Sequence, residues 1–408
     1  MWSGQASTYN TKYRARNLSA YATPATEKHL FFVGTTALRE ENEIHVIEYE
    51  EETGNVVCRC ILNHPNEIWD LKPCPKNPKL LFTALNTGST MKGTLWELPD
   101  SISNGDVTSH STSSKVPERL DMKSIATLNE IGSDSSSSIG AGVWDCNSLK
   151  LLTWPSTNVV GDMLVWDIHS NSSPEVTHQI KNLNGSSQAI DSNLSIIRAA
   201  AWDPHRPSSF TFARGDAIVG YDLRTPSSEE AFCIPQAHGI CTRDVDYNPN
   251  KPYCFLSGGD DGKIKFWDYR KAQVPLKVFS GHSHWVMKAK YNPFHDQLVV
   301  SAGTDSSVSL WRAASISSAP LLELDDDDSN EGDGGDGEER VNVDGVDVET
   351  DNAKDVADAA IRTFDEHEDS VYGLAWSLCD AWVFSSLSYD GRVVINHVPS
   401  TEKYKILL

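Results

Sequence analysis

At 408 residues, 39% of them hydrophobic, the chain exceeds what one ordinary core requires and suits an array of repeats. Its formal charge of −22 argues against a basic face for direct nucleic-acid binding. No apolar run approaches the roughly 18 residues of a membrane span, no apolar leader region opens the chain, and its eight cysteines form no CxxC pair. The expectation is a soluble intracellular protein with scattered reduced thiols.

In chain order, Tyr13–Leu18, His29–Thr35 and Asn42–Tyr49 read as strands of a first, irregular unit, with Asn55–Leu62 outermost. A second unit opens at His64, with Pro75 eleven residues on, Thr83 nineteen residues on, and Trp96 beyond a longer turn. From Ser101 to Ser138 the pattern stops; twelve of these 38 residues are Ser and none is aromatic. Such a stretch buries too little apolar surface to offset its ordering entropy, so 101–138 is expected to be a flexible insertion, with Ser124–Leu128 a candidate outer strand. The third unit runs through Val143-Trp144, Leu149–Thr153 and Leu164–Asp167, followed by a polar loop over Asn182–Asn193. A fourth carries Ile196–Trp202, Phe210–Ala213 and Ile218–Asp222, with Tyr221 where other units have Trp.

The next two units set the register. His238 is followed by Ser257, Asp261 and Trp267 at offsets of 19, 23 and 29, and His282 by Ser301, Asp305 and Trp311 at the same offsets, 44 residues later. A period of about 40–45 residues is that of a four-stranded WD-type propeller blade. The spacing puts His before the innermost strand, Ser on the second, Asp in the next turn and Trp on the third. Trp N–H can then bond Ser, Ser can bond His, and His can bond Asp, satisfying every buried polar group. Ser, His and Asp together also invite a hydrolase reading, but the set recurs from unit to unit and no nucleophile elbow accompanies it. Pro249 and Pro293 repeat the eleven-residue offset of Pro75 and stop the innermost strands where a missing N–H does no harm.

Ala319–Leu324 is a candidate outer strand, and residues 325–358 follow as a second, acidic insertion. Glu323–Asp358 holds sixteen acidic residues against Arg340 and Lys354, which leaves −8 for the rest of the chain. Four consecutive Asp residues repel and stay solvated; Asp325–Asp336 lacks the spacing of an EF-hand, so no metal site is expected. In the last unit His367, Ser386 and Asp390 keep the register, while Asn396 replaces Trp and Lys403–Leu408 reads as an outer strand. The sum is an all-β, seven-bladed WD40 β-propeller over residues 1–408, a monomer without cofactor.

No P-loop, GxGxxG, HExxH or Cys/His metal set appears, so function must lie on surfaces rather than in chemistry. By register, Glu67, Trp69, Ile196, Arg198, Cys241, Arg243, Asp260, Trp285, Met287, Thr304, Ser370, Tyr372 and Tyr389 should crowd one end of the channel. Trp69, Arg198, Arg243, Trp285, Tyr372 and Tyr389 form the candidate partner-binding rim, since Trp, Tyr and Arg dominate protein–protein hot spots. A second surface competes. Trp267-Asp268-Tyr269-Arg270 is a WDxR stretch echoed by Tyr221-Asp222-Leu223-Arg224. These resemble the box by which propeller receptors dock on the DDB adaptor of cullin-4 ubiquitin ligases, making Asp222, Arg224, Asp268 and Arg270 an alternative docking set.

A closer resemblance rests on His238-Gly239, Arg243–Lys251, His282–Val286, Tyr291-Asn292-Pro293 with His295–Leu298, the four-Asp run, Glu366–Tyr372, Ser386–Arg392 and Tyr404–Leu408. Together they resemble the WD-repeat proteins that interact with the endosome-associated recycling (EARP) and Golgi-associated retrograde (GARP) tethering complexes. The likeness is specific from about Ala199 onward, weaker but co-linear from Ile44 to Trp96, and absent from the Ser-rich insertion and from the body of the acidic one. It implies a non-enzymatic adaptor that binds those complexes and sits in the cytoplasm, peripherally on endosomes and the trans-Golgi network, supporting recycling and retrograde traffic. It assigns no contact to either rim.

Overall fold

A computed structural model describes residues 7–23, 26–38, 41–104, 117–128, 138–155, 162–169, 173–181, 196–225, 230–318 and 358–407. Seven sheets, antiparallel except for one added strand in the first, follow one another along the chain and form a seven-bladed β-propeller. The innermost strands are Ala15–Thr23, Glu67–Pro73, Ile139–Trp144, Ile197–Trp202, Thr242–Tyr247, Val286–Tyr291 and Val371–Trp376, one per blade. Pro75, Pro249 and Pro293 each stand two residues beyond such a strand, as their offsets predicted.

Each blade is covered on both faces, so its middle strand is buried throughout: Cys254–Gly259, Leu298–Gly303 and Val383–Ser388 have no exposed residue. That is why these segments do not alternate between apolar and charged residues as a half-buried strand would. Outermost strands such as Glu175–Ile180 alternate instead. The core is accordingly not one body but seven apolar clusters, each filling the joint between two neighbouring blades. Hydrogen bonds cross the same joints. The Trp144 indole N–H donates to the Lys72 carbonyl at 2.9 Å, Trp202 to Val143 at 3.1 Å, and Trp376 to Lys290 at 3.3 Å.

The polar chain within the blades forms as its spacing required. In blade five Trp267 Nε1 donates to Ser257 Oγ at 2.9 Å, Ser257 Oγ lies 2.8 Å from His238 Nε2, and His238 Nδ1 lies 2.8 Å from Asp261 Oδ1. Blade six repeats it at 2.8, 2.7 and 3.1 Å through Trp311, Ser301, His282 and Asp305. Blade seven substitutes a relay: His367 bonds Ser386 Oγ at 2.7 Å and Ser388 Oγ at 2.8 Å, and Ser388 donates to Asp390 at 2.6 Å. With Asn396 at the Trp position, its Nδ2 is buried without a partner. The residue after each turn Asp takes a positive φ: 71° at Gly262, 60° at Ser306 and 90° at Gly391.

Four expectations change. The outer strand of blade seven is Ser7–Asn10, paired antiparallel with Arg392–His397, and the chain's end is instead a helix, Ser400–Leu407. The edge is already occupied, and the helix docks by burying Glu402 against Arg312 at 2.7 Å. The first innermost strand is Ala15–Thr23 rather than Tyr13–Leu18. Within 101–138, Lys123–Leu128 is the outer strand of blade two, but Glu118–Asp121 adds a fifth, parallel strand to blade one beside Asn55–His64. Arg119 anchors it through Glu43 at 2.6 Å, a long-range pairing that composition does not reveal. Finally, Asp358–Phe364 fills the outer place of blade six; Ala319–Leu324, like 325–357 and Asn182–Asn193, lies outside the described residues.

Two predictions follow from the buried network. Ser301→Ala strands the Trp311 N–H and His282 Nε2 in a dry joint, which should cost about 1–3 kcal/mol by urea denaturation at pH 7.5. Burial holds His64 and His367 near pKa 4, below the ordinary 6.5. The unfolded chain therefore takes up protons that the fold refuses between these values. Stability is full above pH 6.5, falls as pH drops towards 4, and loses on the order of 3 kcal/mol per histidine. Urea midpoints across that window should fall steeply in wild type and less in a His64→Gln/His367→Gln variant.

Candidate functional site

All seven innermost strands carry the same irregularity near their first residue, a one-residue bulge against the second strand. In blade one the pairing steps from Ala15 opposite Thr35 to Asn17 opposite Gly34, leaving Arg16 unpaired. The residues skipped in blades two to seven are Trp69, Gly140, Arg198, Arg243, Met287 and Tyr372. A bulge bends its strand and re-aims a side chain. Here every skipped residue lines one cavity of about 210 Å³ in the central channel.

Of the candidate rim, Trp69, Arg198, Arg243 and Tyr372 are therefore bulge residues brought into one ring. Trp285 and Tyr389 sit beside it on the entry loop of blade six and the turn of blade seven. Trp285 is 39% exposed and lies under the Arg243 guanidinium at 4.5 Å from its ring centroid. Tyr389 meets Tyr372 at 5.7 Å between ring centroids. Register reasoning missed Arg14 and Arg16, because blade one has no His from which to count. Arg16 stacks on both Trp69 (4.8 Å) and Tyr372 (5.2 Å), and Arg14 stacks on Tyr389 (5.3 Å). The contacts run from Arg14 through Tyr389, Tyr372 and Arg16 to Trp69, and Arg243 with Trp285 forms a separate pair.

The cavity inverts the charge of the chain. Arg16, Lys72, Arg198, Arg243, Lys288 and Lys290 line it against Asp70 and Asp244. Both acids are already engaged. Asp70 accepts from the Gly142 N–H at 3.0 Å and lies 3.5 Å from Lys72; Asp244 accepts from Ala289 at 3.2 Å and meets Lys288 and Lys290 at 3.5 and 3.2 Å. Burial opposes the charge on Arg243, but Asp260, bonded to it at 2.9 Å through Nη2, more than compensates and lifts its pKa. Burial has the upper hand at Arg16 and Lys288, whose pKa values fall below their ordinary ranges. Among the described residues no carboxylate lies within ion-pair distance of Arg16 or Arg198, and Arg198 Nε is buried with no hydrogen-bond partner.

The alternative docking set lies at the ends of the third strands, on the opposite rim. Arg224 closes on Asp222 with contacts of 2.9 and 2.6 Å, and Arg270 on Asp268 with 3.0 and 2.6 Å. Arg270 also covers Tyr253 at 4.2 Å. Each Arg thus has a use inside its own blade while remaining well exposed. One histidine–carboxylate group, His29 with Glu51 and Asp380, also gathers at the joint of blades seven and one. There the His29 ring nitrogens are taken up by Ser377 Oγ at 2.8 Å and Glu51 at 3.3 Å. All eight cysteines are free, and no helix among the described residues is long and apolar enough to cross a membrane.

Exposed pairs of this kind contribute little to stability, because solvent screens them and the side chains lose freedom. Arg224→Ala/Arg270→Ala should leave the melting temperature within experimental scatter of wild type.

Comparison with known proteins adds a second line of evidence. The family model described as EIPR1 beta-propeller matches residues 3–120 and 179–311, and a WD domain, G-beta repeat model matches 359–395. The chain is 35% identical over 408 residues to EARP and GARP complex-interacting protein 1 of Macaca fascicularis and 34% identical to that of Homo sapiens, covering 98% of both partners in each case. It is 32% identical over 395 residues to WD repeat-containing protein DWA2 of Arabidopsis thaliana, covering 96% of this chain and 95% of that one.

Proposed function

The chain belongs to the EIPR1 β-propeller family, and from that premise we propose that it is a non-enzymatic adaptor that binds the EARP and GARP vesicle-tethering complexes. It does so through the channel rim built by the seven bulges, with Trp285, Tyr372 and Trp69 as apolar anchors and Arg16, Arg198 and Arg243 as polar ones. The observation that carries this assignment is the ring itself. Seven blades deliver one side chain each to one cavity, and three of the seven are arginines and two aromatic. Trp, Tyr and Arg are the residues that most often dominate the energetics of protein interfaces.

Catalysis finds no support in the blade networks. The hydroxyls of Ser257 and Ser301 already accept from an indole and bond a histidine, and both residues are fully buried. By carrying the tether, the adaptor would sit peripherally on endosomal and trans-Golgi membranes and support recycling and retrograde traffic. Affinity capture of EARP and GARP subunits on the immobilised chain tests the reading. Wild type should retain them, and Trp285→Ala/Tyr372→Ala should reduce retention at least tenfold while preserving the melting temperature. Undiminished retention by that variant would exclude the rim, and no retention by wild type would exclude the function.

A further inference from the structure

We infer that the bulge ring receives an acidic peptide segment of its protein partner, with a carboxylate seated among Arg16, Arg198 and Arg243 and neighbouring apolar groups on Trp69 and Tyr372. The inference rests on the adaptor reading above and adds the chemistry of what enters the channel.

Charge balance is the first argument. Basic side chains outnumber acidic ones along the cavity wall, and the acids are committed to lysines and to backbone N–H groups of the next blade. Arg16 is the clearest case of an unmet cation. It is held by aromatic rings, which cover guanidinium faces and leave the N–H edge without an acceptor among the described residues. Arg198 presents a second unmet donor, its Nε buried and unpartnered. A buried donor left unbonded costs free energy that an incoming anion returns.

The second argument concerns which anion. A chain of net charge −22 repels extended polyanions at long range, so recognition here is short-range and local. A guanidinium presents a planar fork matched to a carboxylate. Beside the cations stand Trp69, Tyr372 and the half-exposed Trp285, surfaces that serve the apolar groups of a peptide and have no use for a bare phosphate.

The test uses overlapping peptides that tile the EARP and GARP subunits, probed with the full chain. Three forms are compared: wild type, Arg16→Gln/Arg198→Gln, and Lys123→Gln/Lys405→Gln, which removes equal charge from the outside. Wild type should capture peptides rich in Asp and Glu. The arginine variant should bind them at least tenfold more weakly with an unchanged melting temperature, the lysine variant should match wild type, and added salt should weaken capture. Equal binding by the arginine variant, or capture of peptides without acidic residues, overturns the inference. So does a failure to capture any peptide when the intact complexes are retained through Trp285 and Tyr372, an outcome that leaves the adaptor reading in place. A thermal shift with inorganic phosphate that depends on Arg16 and Arg198, without peptide capture, would identify a small-anion site instead.

Discussion

The four residues Ser7–Asn10 turn a row of sheets into a ring. Their pairing with Arg392–His397 joins the two ends of the chain in one sheet, so the innermost strand of blade one, beginning at Ala15, is delivered directly against blade seven. Thr11 clamps the crossing, its amide and hydroxyl both donating to the Gly391 carbonyl at 3.0 and 3.1 Å. Every other joint in the molecule connects sequence neighbours and would form in an open array. This one does not, and without it two blades would expose apolar faces and the sheet edges that promote aggregation. The entropic cost of so distant a closure grows only slowly with chain length, so a short strand backed by an apolar joint suffices.

Closure also makes the channel. Only in a ring do seven skipped residues, each from a different blade and far apart along the chain, face one another across a common cavity. The bulge frees those positions from the ladder, and the chemistry at each then varies independently: Arg, Trp, Gly, Arg, Arg, Met, Tyr. Fold and recognition are thus separated at the level of single residues. Gly140 opens the wall where the other blades place side chains, and Met287 offers the most adaptable surface of the seven.

What could be read from the sequence was what physical spacing constrains. A buried His must find Ser at +19 and its turn Asp at +23, so blades five, six and seven declare their register, and five residues beyond each His stands Arg243, Met287 or Tyr372. The same count from His64 reaches Trp69, and the proline offset reaches Arg198. Blades one and three have no such His, and their contributions, Arg16 and Gly140, were invisible. Edge strands carry weaker signals. Lys403–Leu408 read as the outer strand that Ser7–Asn10 in fact supplies, since an outer strand needs only one apolar face. Glu118–Asp121 lies in a polar stretch and is held by an ion pair and hydrogen bonds with residues far away in sequence.

The blade networks show why residue types alone do not define chemistry. Ser, His and Asp stand in hydrogen-bonding order in blades five and six, the same order that a hydrolase uses. A nucleophile needs a free lone pair and an open approach; the blade serine has neither, since the neighbouring indole donates to its oxygen and the joint closes over it. Blade seven makes the point from the other side. There a second serine is inserted between His367 and Asp390, and the indole is gone, yet the turn is held. A relay that accepts an extra member without loss of geometry is bracing a turn, and it leaves recognition to the ring of arginines and aromatics that the bulges expose.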